Sequence, residues 1–238
     1  MTAAALRVLI SGGFTGAYEA LLPEFERASG IAVTTGSGAS QGSGPHTISA
    51  QLARGEPADV VILSREGLAE LVAANRIAAE TTVDLARVGL GVAVRANAPK
   101  PDLSSVDAVT QTLLKARMVA VPGSTSGIWL TTDLFPRLGV ADAIDVRMTP
   151  RGSDASAMVA AGGAGLAVMP VSEILVAPGV DFAGVLPPQI QMVQVFAAAI
   201  VTGSRAVAAA RRLIEFLASP HAAEIIRRSG MEPVTTSP

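Results

Sequence analysis

Residues 8–20 read Val8-Leu9-Ile10-Ser11-Gly12-Gly13-Phe14-Thr15-Gly16-Ala17-Tyr18-Glu19-Ala20. A short aliphatic run predicts a strand, Ser-Gly-Gly predicts a tight turn, and the Ala/Leu-rich stretch Thr15–Ser29 predicts a helix that stops at Gly30. Glycines and hydroxyls therefore stand where a strand hands over to a helix. There the first amides of the helix have no partner within it, and the helix dipole favours negative charge. Pro23 removes the bond back to Glu19, which predicts a kink in that helix.

The same junction recurs along the chain. Strand Ile31–Thr35 runs into Gly36-Ser-Gly-Ala-Ser40-Gln-Gly-Ser-Gly44, followed by helix Thr47–Arg54, strand Asp59–Leu63 and helix Glu66–Asn75. After strand Val88–Arg95 and a proline-marked turn come helix Val106–Ala116, strand Met118–Val121, the loop Gly123-Ser-Thr-Ser-Gly127 and helix Ile128–Leu138. Strand Asp145–Met148 leads through Arg151-Gly-Ser-Asp154 into helix Asp154–Ala161, then strand Gly165–Met169. Strand Val193–Val201 and helices Arg205–Ala218 and His221–Ser229 complete the pattern. Alternating strands and helices predict an α/β fold with a largely parallel sheet, whose ligands bind beyond the carboxyl ends of the strands. Four loops of one chemistry thus predict an anion site built from Ser11, Gly12, Gly13, Phe14, Ser40, Gln41, Ser124, Ser126, Gly127, Arg151 and Ser153. Arg151 is the candidate for a bidentate grip on a carboxylate.

Composition bounds the alternatives. The 238 residues are 50% hydrophobic and 16% charged, enough apolar material for a substantial core. A net charge of −2, without basic residues interleaved with aromatics, argues against a nucleic-acid partner. With no cysteine and two separated histidines, His46 and His221, the expectation is no metal and no cofactor. The charge-free stretch Ala155–Ser172 is interrupted by Gly162, Gly163, Gly165 and Pro170, so it reads as helix, turn and strand, and the chain is expected not to be membrane-inserted. Met1–Arg7 has no basic segment followed by a long apolar one. The expected location is cytoplasmic if the chain is complete as given and periplasmic if a signal peptide was trimmed.

Two sharper motifs fall short in this chain. Ser11-Gly-Gly13-Phe-Thr-Gly16 falls one glycine short of the dinucleotide fingerprint, and the second strand ends in Thr34-Thr35 without a ribose-binding acid. Gly38-Ala-Ser40-Gln-Gly42 matches the hydrolase nucleophile elbow with His221 downstream, but in a loop too long for a sharp turn. Trp129 and Tyr18 read first as core residues and second as walls of a site.

The order strand–Ser11-Gly-Gly-Phe-Thr15–helix, then Ala53-Arg-Gly-Glu-Pro-Ala-Asp59-Val-Val-Ile62, Ser126-Gly-Ile-Trp129 and Phe216-Leu-Ala-Ser-Pro220-His-Ala-Ala223, resembles the molybdate-binding branch of type 2 periplasmic binding proteins. The resemblance covers nearly the whole chain. It implies two α/β lobes joined by two hinge strands with the ligand cleft between them, lobe one being residues 1–86 plus 191–238 and lobe two 87–190. Gly165-Leu-Ala-Val-Met-Pro170 carries no tyrosine where molybdate binders use one, which favours a polycarboxylate over molybdate or a similar oxyanion. Leu9-Ile-Ser-Gly-Gly-Phe14, Ala39-Ser-Gln-Gly42, Ala98-Pro-Lys-Pro-Asp102, Leu134-Phe-Pro-Arg-Leu-Gly139 and Pro178-Gly-Val-Asp-Phe182 are similar to an aconitate-isomerase-like offshoot of that branch, although Val168-Met-Pro170 is more apolar than expected there.

Two functions follow as expectations. One is a substrate-binding protein that hands a small anion to the membrane component of an ABC transporter. The other is an isomerase that moves a proton between carbons of a small tricarboxylate. The second needs a proton-transfer residue, for which His46, Asp154 and Glu19 are the candidates. A carboxylate beside an anionic ligand needs a raised pKa, which favours His46 over the two acids.

Overall fold

The computed structural model describes residues 5–234, so the reading of Met1–Ala4 lies outside the described residues. The chain divides into two compact units, residues 1–87 with 195–238, and residues 88–194.

In the first unit, β1 (Leu6–Ile10), β2 (Val33–Ser37) and β3 (Val60–Ser64) are parallel, with β1 in the centre, Leu9 opposite Gly36 and Val61. β9 (Val193–Ile200) joins antiparallel to β3, Ile62 facing Ala198. Each parallel strand is followed by a helix: α1 (Gly12–Ser29), α2 (Ile48–Ala53) and α3 (Arg65–Ala73). α1 begins three residues earlier than its composition predicts, because Gly12 and Gly13 are absorbed into its first turn. It stays helical through Pro23 and ends at Gly30, whose left-handed φ of 70° lets its amide reach the Glu26 carbonyl. On α9 (Val207–Leu217) the buried residues Ala210, Leu213, Ile214 and Leu217 repeat at helical spacing. α10 (Pro220–Arg228) starts with Pro220 behind the cap Ser219, whose hydroxyl accepts from the Ala222 amide. α9 and α10 both pack on α1, and the Phe25 and Phe216 rings lie 5.6 Å apart. Leu9, Ile48, Val61, Leu63, Leu71 and Ala199 form a core on the strands.

The chain leaves the first unit within β4 (Val83–Arg95) and returns within β9. In the second unit β5 (Met118–Pro122) lies between β6 (Asp145–Thr149) and β7 (Leu166–Pro170), all parallel. β7 pairs antiparallel with β4, which also pairs with β8 (Val180–Val185), a strand with no expectation from its composition. The helices are α4 (Val106–Ala116), α5 (Thr125–Trp129), α6 (Phe135–Arg137), α7 (Gly152–Ala160) and α8 (Val171–Ile174). α5 and α6 are one helical run joined by a π turn over Leu130–Leu134, where the Phe135 amide bonds the Leu130 carbonyl. Pro136 follows immediately and has no N–H to continue the ordinary ladder, which explains a widened turn at this place. The core gathers Leu90, Val92, Leu113, Val119, Leu134, Phe135 and Val168. A short strand β10 (Glu232–Pro233) pairs with the β4 residues Arg87 and Ala86 of the first unit. The stretch Ala155–Ser172 forms most of α7, a turn, and β7 with the start of α8; among the described residues no helix is long and apolar enough to cross a membrane.

Candidate anion-binding site

In the first unit the loops collect at the carboxyl ends of β1, β2 and β3. The Ser11 amide donates to the Ile62 carbonyl at 2.9 Å, and the Gly38 amide donates to the Ile10 carbonyl at 2.9 Å. These bonds tie the Ser11 turn and the long glycine loop to the same strand ends. Ser11 is the cap residue of α1, with extended backbone, yet its side chain makes no capping bond. Its hydroxyl is buried without any hydrogen-bond partner. A buried polar atom left unpaired at the start of an 18-residue helix is unusual.

Other first-unit candidates have structural duties. The Ser40 hydroxyl, also buried, accepts from the Ser64 amide at 3.0 Å, so it is engaged rather than displayed as a nucleophile. His221 bonds Glu24 at 2.5 Å on the α10 surface. Gln41 donates to Glu70 at 2.6 Å. Phe14 is wholly buried in the core. Gly13 lets α1 approach β9, since a Cβ there would overlap the Phe196 ring, while Gly12 stays exposed. His46 is exposed, and its carbonyl accepts from the Ala39 amide and Gln51. Glu19 is exposed on α1. Tyr18 is a core residue: its hydroxyl shares a 2.8 Å hydrogen bond with Thr35, and burial pushes its pKa up to about 12.

Ser64 escaped the sequence reading. It is completely buried, caps α3 by accepting from the Gly67 amide at 3.2 Å, and stands beside Ser40. The signal was present: Val60–Leu63 followed by Ser64-Arg-Glu-Gly67 is one more strand-to-helix junction with a hydroxyl and a glycine.

In the second unit the loops after β5 and β6 lie side by side. The register sets Pro122 opposite Thr149, and the Gly123 amide donates to the Thr149 carbonyl at 2.6 Å. The Thr149 hydroxyl donates to the Arg151 carbonyl at 2.7 Å, which holds the second loop. Ser124 occupies the cap position of α5 with extended backbone, and Ser126 is buried in its first turn. Gly127 has no room for a side chain, because a Cβ would collide with the Pro122 carbonyl oxygen. Arg151 is the exposed cap residue of α7, Ser153 and Asp154 are exposed in its first turn, and Gly152 is buried. Trp129 packs half-buried on the core with Arg137 above its ring at 6.0 Å.

Glu173, on α8 after β7, is a second residue the sequence reading missed. Its carboxyl end packs against Gly152: the Glu173 carboxyl carbon and the Met169 methyl each stand 2.8 Å from where a Gly152 Cβ would be. Burial pushes the Glu173 pKa up to about 7. Among the described residues no group of three or more His, Asp or Glu side chains is placed to hold a metal ion. A cavity of about 540 Å³ opens at the opposite end of the first-unit strands, beside Arg7, Asp59, Arg76 and Arg205, and includes none of the candidate residues.

Parallel strands that run into helices through junctions rich in hydroxyls and glycines are the architecture of periplasmic binding proteins of the type 2 kind. The chain belongs to the bacterial extracellular solute-binding protein family, which it matches over residues 6–232. It is 40% identical over 235 residues to an aconitate isomerase from Pseudomonas sp, covering 98% of this chain and 89% of that one. Among solved structures, the periplasmic molybdate-binding protein of Azotobacter vinelandii superposes with a TM-score of 0.70 at 20% identity, over 98% of this chain and 100% of the other. The sulfate-binding protein of Mycobacterium tuberculosis reaches a TM-score of 0.77 at 20% identity, over 97% and 87%. These two likenesses establish the fold.

Proposed function

We propose that this protein binds a small tricarboxylate on its helix N-termini and serine hydroxyls and interconverts cis- and trans-aconitate by a 1,3-proton shift. The observation that carries the choice of reaction is kinship with an aconitate isomerase over nearly the full length of the chain. The site chemistry is compatible with it. In the first unit the unpartnered Ser11 hydroxyl, and in the second unit the Ser124–Gly127 and Arg151–Ser153 loops, offer donors that suit carboxylates.

A second reading, favoured by the family itself, is a receptor that binds a small anion and delivers it to an ABC transporter. Proton NMR of the protein with cis-aconitate in deuterium oxide separates the two. Appearance of trans-aconitate supports the isomerase. Binding of cis-aconitate without turnover would replace the isomerase reading with the receptor.

A further inference from the structure

The proton shift requires a group that removes a proton from carbon and returns it two carbons away, and His46, Asp154 and Glu19 are all exposed. We propose that Glu173 is the catalytic proton-transfer residue, its carboxyl standing against Gly152 at the first turn of α7 to meet the ligand held there. This rests on the isomerase reading above.

The geometry favours Glu173 over the other acids. Another element has made room for its carboxyl: any side chain at position 152 would overlap Glu173 Oε2. It lies at the carboxyl end of β7, while Gly152 follows β6, so two strand-to-helix junctions of the second unit converge on it. The Met169 methyl lies at the same spot and supplies an apolar wall. The charged residues on the packed elements are Asp154 and the cap Arg151 on α7 and Asp181 on β8, and β7 has none. Among the described residues Arg151, the one cation of these, forms no ion pair with Glu173, and Asp181 accepts from the Asn97 amide. Desolvation alone therefore sets its proton affinity, with an upward shift to about 7. That value suits a group that must both take and give a proton at neutral pH.

The step balances without another reagent. The Glu173 carboxylate takes one proton from the methylene carbon of cis-aconitate, and the C–H electron pair delocalises over the three-carbon allyl unit and its carboxylate. The resulting carboxylic acid returns the proton to the former vinyl carbon. The double bond has then moved by one position and can close in the trans form.

The test compares the wild-type protein with Glu173→Gln and Glu173→Asp. Turnover of cis-aconitate is followed by NMR in deuterium oxide across pH, and binding of propane-1,2,3-tricarboxylate, which has no allylic proton, by calorimetry. Proton-transfer groups typically contribute about 10²–10⁴-fold. The expected result is a loss of kcat in that range for Glu173→Gln with tricarboxylate affinity within about threefold of wild type, and loss of the limb of the wild-type kcat profile near pH 7. Glu173→Asp, which keeps the acid but withdraws it, should retain a small fraction of turnover and guards against a folding defect in the amide variant. Wild-type turnover that survives Glu173→Gln would overturn the assignment while leaving the isomerase reading intact. A wild-type protein that binds cis-aconitate but never converts it would remove both.

Discussion

Replacing Ser11 by alanine should stabilise the free protein and weaken its ligand at the same time. A serine at a helix cap ordinarily bonds an amide of the first turn, and its loss costs about 0.5–2 kcal/mol. Ser11 makes no such bond, and its hydroxyl is buried with no partner. An unsatisfied buried hydroxyl carries a penalty of about 1–3 kcal/mol, which alanine removes without opening a large void. The expected change in the free protein is therefore a gain of about 1 kcal/mol, which for a chain of this size raises Tm by about 2–4 °C. With a carboxylate bound the sign reverses. A hydrogen bond to a charged group is worth about 1.5–3 kcal/mol, so cis-aconitate affinity should fall by about ten- to a hundredfold. Thermal melting of the free protein and calorimetric titration with cis-aconitate read the two quantities separately. A variant that melts lower and binds unchanged would show that Ser11 is an ordinary cap, and the reasoning from its unpaired hydroxyl would fail.

Ser40→Ala should behave oppositely, losing about 1–3 kcal/mol in chemical denaturation because the buried hydrogen bond between the Ser64 amide and the Ser40 hydroxyl is lost. Gly127→Ala should cost about 3 kcal/mol or prevent folding, since the added Cβ meets the Pro122 carbonyl oxygen, whereas Gly30→Ala, with open space but a φ of 70°, should cost about 1–2 kcal/mol. Tyr18 is the chain's single tyrosine, so its ultraviolet phenolate signal can be assigned without ambiguity. Its folded pKa lies above the unfolded value of 10.0, so its contribution to stability is full below pH 10 and is lost as pH rises through about 12. A titration midpoint near 10 in the native protein would contradict its burial against Thr35.

The strand-to-helix junctions could be read from the chain alone because their signals are local. Val8–Ile10 followed by Ser-Gly-Gly, and Met118–Val121 followed by Gly-Ser-Thr-Ser-Gly, dictate a strand and a helix start within a dozen residues, although Gly12 and Gly13 join the helix and form no separate turn. The charge-free segment Ala155–Ser172 resolved correctly into helix, turn and strand for the same reason. β8 was missed because Val180–Val185 carries Asp181 and Gly184 within a six-residue run, and only pairing with β4 makes it a strand. Nor could local pattern separate the serines: Ser11 and Ser40 occupy similar glycine-rich turns, yet one hydroxyl is unpaired and the other serves the Ser64 amide. Glu173 makes the same point most sharply. In the sequence it is one acid in an apolar stretch, and its raised pKa comes from burial in the fold, where Gly152, 21 positions earlier, lies against its carboxyl. Junction chemistry depends on neighbours along the chain and is written in the sequence. Hydrogen-bond satisfaction and proton affinity depend on neighbours in space, and only the tertiary structure decides them.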